Sequence, residues 1–259
     1  MAESFGYNWR EMSNIGQSDS VRAYDLEKRV AAYDFDMEIM HPLRSKMVAV
    51  LLEVLPWAKT EALRAVDLGV GTGLLTARFL DAFRHANVVA VDGAAAMIDL
   101  CRSRIRPAVG RVEFLIADFR AIPPDRLAPG SMDVVLSAYA LHHLTQKEKS
   151  ALIAQSLVWL KPGGWFLNAD LVVARDPQVE QRIQTLREAG IVNRARGDAR
   201  FETRAATRKF LADLERNERD QPLTLELDLE TAREAGLQSV EVFWKEYREA
   251  VWGGPKTVG

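Results

Sequence analysis

The sequence has little of what marks several classes of protein. Its 259 residues include one cysteine, Cys101, which excludes a disulfide within the chain and a thiolate metal cage. No run approaches the roughly 18 consecutive apolar residues of a membrane span, and the first residues lack a signal-peptide pattern. A net charge of −2 gives no drive toward nucleic acid. We therefore expect a cytoplasmic monomer or homodimer with no nucleic-acid or membrane partner.

Apolar runs alternate with helical patterns between residues 64 and about 171. Five runs predict strands: "RAVDL", "NVVAVD", "RVEFLIAD", "MDVVLSA" and "GWFLNADLVV". Continuous apolar strands between helices predict a parallel sheet buried on both faces. Repeated strand–helix units predict a doubly wound, Rossmann-like α/β fold. Near the C-terminus "QSVEVFWKEY" predicts a strand, and "REAVWGG" predicts its hairpin partner or a last edge strand. The expected sheet has about seven mostly parallel strands, with the last antiparallel.

The chain divides into four predicted parts. Residues 1–41 are polar with scattered aromatic side chains and are expected to form a partly helical N-terminal lid. Residues 42–174 form the core of the fold. Residues 175–222 are charged and helical, without a convincing strand, so they interrupt the sheet as a helical insertion. Residues 223–259 supply the C-terminal strands that complete it.

The segment "VDLGVGTG" joins the first predicted strand to a helix and has glycine at three alternate positions, Gly69, Gly71 and Gly73. Glycine permits a sharp turn and a close approach of the backbone to a ligand. The helix that follows offers free N–H groups at its N-terminus. The dinucleotide fingerprint G-x-G-x-x-G requires a last glycine where this chain has Leu74, so that pattern fails by one residue.

Three acids adjoin the glycine loop or end the neighbouring strands. Asp92, at the end of the second strand, can accept two ribose hydroxyls, and Asp118, at the end of the third, can accept from an exocyclic amine. Asp67, before the first glycine, can take an ammonium group directly or through water. Because carboxylates would repel a phosphate, these acids favour a cationic nucleoside without phosphate over a pyrophosphate.

With these features the sequence resembles the class I S-adenosylmethionine-dependent methyltransferases. The matching segments occur in the family's order: "VDLGVGTG", "VVAVDGAAAMI", "IADFR", "MDVVLSAYALHHL" and "LKPGGWFLNAD". The resemblance is strong over residues 42 to 171 and looser over the C-terminal strands. Val70 stands where the family often has cysteine or alanine. The resemblance implies in-line transfer of a methyl group from S-adenosylmethionine (SAM) to an O, N or C nucleophile of a small molecule, with residues 175–222 as the acceptor cap.

The resemblance also implies the cofactor contacts. The first two glycines lie against the methionine part of SAM, and Asp92 holds the ribose. Met97 packs on the adenine, whose other edge is held by Asp118 and Phe119. Ser137 lies near the methionine end. The full predicted set is Asp67, Gly69, Gly71, Gly73, Asp92, Met97, Asp118, Phe119 and Ser137.

Chemistry is expected beside the end of the fourth strand, in "SAYALHHL". Imidazole is the natural base near neutral pH, so His142 and His143 are candidate general bases; the alternative is that they only hydrogen-bond a loop. Adjacent positions on a helical turn lie about 100° apart, so at most one should face the site. Tyr139 is expected to be an aromatic wall near the sulfonium, or else core packing. Two adjacent histidines without spaced partners match no metal-ligand pattern, so no metal is predicted.

Candidates on the substrate side lie in the lid and the insertion. Trp9, Tyr24 and Tyr33 are expected to cover the cofactor and acceptor, or to staple the lid to the core. The insertion has arginine at every fourth position, which on one helix would form a basic stripe: Arg196, Arg200, Arg204 and Arg208. Such a stripe would meet an anionic acceptor or a partner, or form a solvated face balanced by acids. Arg200 is the substrate candidate from this stripe.

Two other functions stay open. A nicotinamide-dependent oxidoreductase is disfavoured by Leu74 in the glycine loop and by the acid at Asp67. A relative that binds SAM without methylating an acceptor is compatible with the same motifs, because methyl transfer needs few dedicated side chains.

Overall fold

A seven-stranded sheet organises the part of the chain that the structure describes, residues 19–24 and 27–257 of a computed structural model. The strands are β1 (Arg64–Leu68), β2 (Asn87–Asp92), β3 (Val112–Ile116), β4 (Met132–Ala138), β5 (Leu160–Leu171), β6 (Glu241–Glu246) and β7 (Glu249–Pro255). Their order across the sheet is β3-β2-β1-β4-β5-β7-β6. Strand order reverses between β1 and β4, which is where ligands bind in open α/β sheets.

Strand direction confirms the predicted mixed sheet. The first five strands pair in parallel, and β7 pairs antiparallel to both β5 and β6. Six strands therefore run one way and β7 runs the other. The segment "REAVWGG" is the hairpin partner of β6, and it lies between β5 and β6. The alternative that it forms an edge strand is wrong, since all four residues Ala250–Gly253 are buried between two neighbours.

Helices cover both faces of the sheet. Their bounds are α1 (Asp19–Tyr24), α2 (Glu27–Met40), α3 (Arg44–Glu53), α4 (Leu74–Ala82), α5 (Ala95–Arg104), α6 (Gln146–Trp159), α7 (Pro177–Arg194), α8 (Arg204–Glu218) and α9 (Leu225–Glu234). Apolar side chains of α3, α4 and α5 pack on one face, and those of α6 and α9 on the other. Among the residues described, no helix combines the length and apolar character needed to cross a bilayer.

The lid and the insertion are helical, as predicted, over the residues described. The lid contributes α1 and α2, and the insertion contributes α7 and α8. Helix α1 contacts α8, α2 contacts α7, and the two insertion helices contact each other. The lid therefore packs against the insertion above the sheet. Residues 1–18, which include Trp9, lie outside the described part of the chain.

The predicted arginine stripe on one helix is wrong. Arg196 follows the end of α7, and Arg200 lies in a short 3-10 helix, Ala199–Phe201. Only Arg204 and Arg208 share a helix, α8. Gly197 breaks the helical pattern, because its φ of 87° is left-handed. Arginines spaced for one face of a helix are thereby divided among three local structures.

Candidate active site

The glycine loop between β1 and α4 is left-handed at each of its glycines, with φ of 72° at Gly69, 53° at Gly71 and 83° at Gly73. A Cβ on Gly69 would lie 2.3 Å from the Cβ of Ala140, and a Cβ on Gly73 would lie 2.6 Å from the Sγ of Cys101. A Cβ on Gly71 would meet no atom within 4 Å. Two of the glycines are therefore required by packing, and Gly71 faces open space.

This difference between the glycines gives a test of the loop. Gly71→Ala is expected to cost about 1 kcal/mol of unfolding free energy, because only the left-handed backbone disfavours the new side chain. Gly69→Ala is expected to cost at least about 1 kcal/mol more, since its Cβ also overlaps Ala140. Urea denaturation of both variants measures the difference. Equal losses of stability would contradict the loop geometry.

Asp92 ties the loop to the end of β2. Its Oδ2 accepts from the backbone N–H of Gly71 at 2.8 Å, and its Oδ1 accepts from the N–H of Ala94 at 2.9 Å. The carboxylate is half-buried. The acid predicted to hold a ribose therefore also positions the backbone that would contact the rest of the ligand.

A pocket, here called the loop pocket, opens above the glycine loop at the carboxyl ends of the strands. Its lining comprises Val21, Tyr24, Tyr33, Gly69, Gly71, Asp92, Gly93, Met97, Asp118, Phe119, Arg120, Tyr139, Ala140 and His143. The structure thus brings together most of the side chains predicted for the cofactor, with lid residues from α1 and α2 over them. The shared pocket is observed, and the contacts of these residues with a cofactor stay predictions.

Three predicted cofactor residues do not line the loop pocket. Asp67 is 1% exposed under α4 and accepts from the hydroxyl of Thr76 at 2.6 Å. Burial raises the pKa of Asp67 to about 7. Ser137 is fully buried and donates to the carbonyl of Leu68 at 2.9 Å, and Gly73 packs against α5. Asp67 and Ser137 therefore do not line the loop pocket, whereas the predicted contact of Asp67 with an ammonium group, directly or through water, and the place of Ser137 near the methionine end stay predictions.

Arg120 is a pocket residue that sequence reasoning missed. Its guanidinium donates to both carboxylate oxygens of Asp118, with Nη2 2.8 Å from Oδ2. The segment "IADFR" contains the arginine, but only Asp118 and Phe119 of that segment are predicted cofactor contacts. A carboxylate has about four lone-pair sites, so binding Arg120 and accepting from an amine are compatible roles for such a group.

A second space, here called the inner cavity, lies beside the loop pocket under the lid and the insertion. Its lining comprises Tyr24, Tyr33, Met37, Met40, His41, Tyr139, His142, Leu171, Arg187, Leu214, Glu215, Glu218 and Asp220. Three tyrosines, Tyr24, Tyr33 and Tyr139, line both spaces. The inner cavity therefore adjoins the loop pocket along these three tyrosines.

The side chain of Tyr139 lies between the loop pocket and the inner cavity and lines both. Its φ of 52° is left-handed, which is unusual for an aromatic residue, and its side chain is buried. The hydroxyl donates to Oε1 of Glu249 at 2.9 Å, and the same oxygen is 3.0 Å from Nδ1 of His41. Burial and Glu249 hold the pKa of Tyr139 well above its ordinary value. Tyr139 is thus a neutral aromatic surface rather than a base.

The two adjacent histidines of the 3-10 turn Leu141–His143 face different spaces. His143 lines the loop pocket, and His142 lines the inner cavity. Each space is therefore lined by one of the two histidines, in agreement with the expectation that at most one would face a given site. His142 binds Asp170 twice, through Nδ1 to Oδ1 at 2.6 Å and through its backbone N–H to Oδ2 at 2.8 Å. Its position is fixed by strand β5.

Charge around the two imidazoles differs. Burial by itself lowers the pKa of His142, but Asp170 and Asp220 outweigh burial and raise it. Burial and the neighbouring His142 lower the pKa of His143. Asp220, from the segment after α8, lies 3.0 Å from Nδ1 of His143 and 3.6 Å from Nε2 of His142. No sequence signal pointed to Asp220, because it lies far from the histidines along the chain.

The substrate-side predictions have mixed outcomes. Tyr24 and Tyr33 cover both spaces from the lid, and their rings meet edge to face. Arg200 lines neither of the two spaces, and its predicted place at the substrate stays a prediction. Its guanidinium binds Asp198 and the buried Asp36 of α2 at 2.7 Å each. Arg200 joins the insertion to the lid.

The fold and the site together define a class of protein. A doubly wound sheet ends at a left-handed glycine loop, an acid follows β2, and an acid with an aromatic residue follows β3. This arrangement is that of an α/β protein whose pocket accepts a nucleoside-type ligand at the switch point of the sheet. Comparison with known proteins narrows the class.

Residues 65–164 match the family model of the methyltransferase domain. An uncharacterized methyltransferase of Geobacillus sp. strain WCH70 is 33% identical over 173 residues, 66% of this chain and 70% of that protein. The uncharacterized methyltransferase YrrT of Bacillus subtilis strain 168 is 34% identical over 125 residues, 48% of this chain and 55% of that protein. The chain belongs to the class I SAM-dependent methyltransferases, so the predicted family and enzyme class are confirmed.

Solved structures show the same fold. An O-methyltransferase family protein from Burkholderia thailandensis superposes with a TM-score of 0.67 at 20% identity, over 97% of this chain and 69% of that one. Phosphoethanolamine N-methyltransferase 2 of Haemonchus contortus, in complex with SAM, superposes with a TM-score of 0.62 at 19% identity, over 88% of this chain and 46% of that one. Because the family model and the relatives are methyltransferases, the alternative that the protein is a nicotinamide-dependent oxidoreductase is set aside.

Proposed function

We propose that the protein transfers the methyl group of SAM to an O, N or C nucleophile of a small molecule held in the inner cavity. The observation that carries this proposal is that the loop pocket and the inner cavity adjoin each other and share lining residues. The loop pocket has the acids and glycines suited to SAM, and the inner cavity shares three tyrosines with it. An acceptor there would reach the reactive end of the cofactor while lid and insertion exclude water.

The loop pocket fits SAM by the chemistry of its residues. Gly71 leaves open space at the backbone, and the carboxylate of Asp92 lines the pocket at the end of β2, where it would accept from ribose hydroxyls. Met97 and Phe119 offer apolar surfaces to an adenine, with Asp118 beside them. When bound, SAM supplies an electrophilic methyl carbon on a sulfonium. The protein's task is then to align the acceptor and keep the space dry.

The acceptor site is completed by residues with distinct tasks. The ring of Tyr139 offers an aromatic face to a cation. His142 is a positioning residue, held by Asp170 behind the cavity. His143 lines the loop pocket beside Tyr24, which borders both spaces, and with Asp220 at 3.0 Å it is the group proposed to receive a proton from the acceptor at that border. Arg200 holds the lid over the site through Asp36.

Activity tests this proposal directly. Purified protein is incubated with methyl-labelled SAM and the small-molecule fraction of a cell extract, and labelled products are identified by mass spectrometry. Tight binding of S-adenosylhomocysteine (SAH) and a labelled small molecule are expected. SAH binding without a labelled product in any extract would favour the relative that binds SAM without methylating. Absence of SAH binding would remove the cofactor assignment.

His143→Ala is expected to lower the rate of methyl transfer by roughly 10²–10⁴-fold, the usual contribution of a positioned acid–base group. The affinity for SAH should change less than about tenfold, because the acids and glycines of the loop pocket remain. His85→Ala is the matched control, since His85 is exposed in the turn before β2. A rate for His143→Ala equal to that of the control would remove His143 from the chemistry.

A further inference from the structure

Three side chains that could ligate a metal meet between the loop pocket and the inner cavity. One donor atom from each of His142, His143 and Asp220 lies within 4.8 Å of the others. The prediction of no metal site was based on histidines without a spaced partner. Folding supplies that partner, because the chain after α8 returns to the 3-10 turn of the histidines. Gln221 fixes this return by donating its backbone N–H to the carbonyl of His142 at 2.9 Å.

Hydrogen bonds at the far side of each imidazole determine which nitrogen has the free lone pair. The hydroxyl of Tyr24 donates to Glu218 at 2.9 Å, so it accepts from Nε2–H of His143 at 3.2 Å. That tautomer leaves Nδ1 of His143 unprotonated. Asp170 accepts from Nδ1–H of His142 at 2.6 Å, so in the neutral imidazole Nε2 of His142 carries the lone pair. Both lone pairs then belong to the nitrogens nearest Asp220.

The convergent atoms lack other partners. Nδ1 of His143 and Oδ1 of Asp220 are buried, and neither has a hydrogen-bond partner among the residues described. They lie 3.0 Å apart without hydrogen-bond geometry, and Nε2 of His142 is 3.6 Å from the same oxygen. Ligands at about 2.0–2.1 Å from a tetrahedral ion are about 3.3 Å apart. The two separations from Asp220 bracket that edge length, and the two imidazole nitrogens lie within 4.8 Å of each other.

The surroundings match those of a metal site as well. Metal-binding histidines usually donate their other ring N–H to a carboxylate or a similar acceptor, as His142 does to Asp170 and His143 to Tyr24. His143 and Asp220 also line an open cleft toward solvent, formed with Arg120, Thr145 and Glu148, which provides an entry path. On the other side, His142 and Asp220 line the inner cavity.

We infer that His142, His143 and Asp220 bind a divalent transition ion such as Zn²⁺, with an open coordination position toward the inner cavity that takes an oxygen or nitrogen of the acceptor. Two imidazoles and one carboxylate select such an ion over Mg²⁺ or Ca²⁺, which prefer oxygen ligands. Coordination of the acceptor by the ion rests on the proposed function, whereas binding of the ion itself does not. With the ion bound, His143 is a ligand, and the ion rather than the imidazole promotes loss of the acceptor proton.

Calorimetric titration of the tag-free full chain, dialysed against chelator and then metal-free buffer, tests the inference. ZnCl₂ is expected to bind at one ion per chain with a Kd of about 1 μM or lower, and MgCl₂ is expected not to bind detectably. His143→Ala and Asp220→Ala should each weaken Zn²⁺ binding at least about 100-fold, and Asp170→Asn about 10–100-fold. His85→Ala should bind like the wild type. Cobalt(II) added to the same protein should give the visible absorption of a tetrahedral site.

Several results would overturn the inference. Zn²⁺ binding weaker than about 100 μM, or equal in His143→Ala and His85→Ala, would show that the cluster holds protons instead of an ion. Circular dichroism of each variant separates loss of the site from loss of the fold. Full methyl transfer by chelator-treated protein would remove the ion from catalysis and leave the proposed function intact. Stoichiometric Zn²⁺ binding without any methyl transfer would support the site and contradict the proposed function.

Discussion

Asp92→Ala is expected to weaken the binding of SAM and SAH by about 10²–10⁴-fold. In the proposed complex the carboxylate accepts two ribose hydroxyls, and a hydrogen bond to a charged group contributes about 1.5–3 kcal/mol. Two such bonds amount to about 3–6 kcal/mol, and each 1.4 kcal/mol is a factor of ten in Kd. The loss also frees the N–H groups of Gly71 and Ala94, which Asp92 now holds at 2.8 and 2.9 Å.

Titration of SAH into each purified variant measures this effect. Asp99→Ala is the matched control, because this substitution removes the same charge from an exposed position of the adjacent helix α5. Its Kd should stay within about threefold of the wild type, as expected for a screened surface charge. If Asp92→Ala bound SAH as tightly as Asp99→Ala, the ligand would lie elsewhere in the molecule.

Lys149→Met is expected to lower the unfolding free energy by about 3–5 kcal/mol, the usual cost of leaving one partner of a buried ion pair alone. Nζ of Lys149, on α6, is 2.5 Å from Oδ1 of Asp228, on α9, and both side chains are fully buried. Burial raises the pKa of Asp228 to about 6 even with Lys149 present. Without the lysine, the carboxylate would have to be protonated or to remain charged in the core.

Thermal and urea denaturation measure this loss. For a domain of this size 1 kcal/mol corresponds to about 2–4 °C in Tm, so a decrease of about 6–20 °C is expected. Lys147→Met, an exposed position on the same helix, should stay within about 0.5 kcal/mol of the wild type. The double variant Lys149→Met/Asp228→Leu should be more stable than Lys149→Met, because it removes the unpaired charge. A loss for Lys149→Met no larger than that for Lys147→Met would contradict a buried pair.

Features encoded within a few consecutive residues were predicted well. Alternating apolar runs located the strands that reach the site, and the spacing of glycines identified the left-handed loop. The strand ends also located two acids at the loop pocket. Asp92 and Asp118 each follow a strand, and both side chains line the pocket. The same reasoning placed Asp67 and Ser137 there too. The sequence shows where a residue lies along a strand. It does not show what its side chain packs against: Asp67 packs under α4, and Ser137 packs against β1.

Arg200 shows the limit of periodicity for the insertion. Four arginines at a helical spacing predicted one surface, but a left-handed Gly197 and the N-cap at Asp198 divided them. The charge of Arg200 was then satisfied by Asp36 of the lid, 164 positions away along the chain. A periodic pattern predicts a face only where the backbone continues as one helix.

The sequence by itself determined the family, the order of strands and helices, and the glycine loop with its acids, because each is encoded by neighbouring residues with a local backbone preference. Only the tertiary structure decided how the acceptor side is built. The residues of that side come from the lid, the end of β4 and the insertion: Tyr24, His143, Glu218 and Asp220. Some of the residues in contact there are as many as 194 positions apart in the sequence. Such contacts depend on how helices pack over the sheet, which no local pattern specifies.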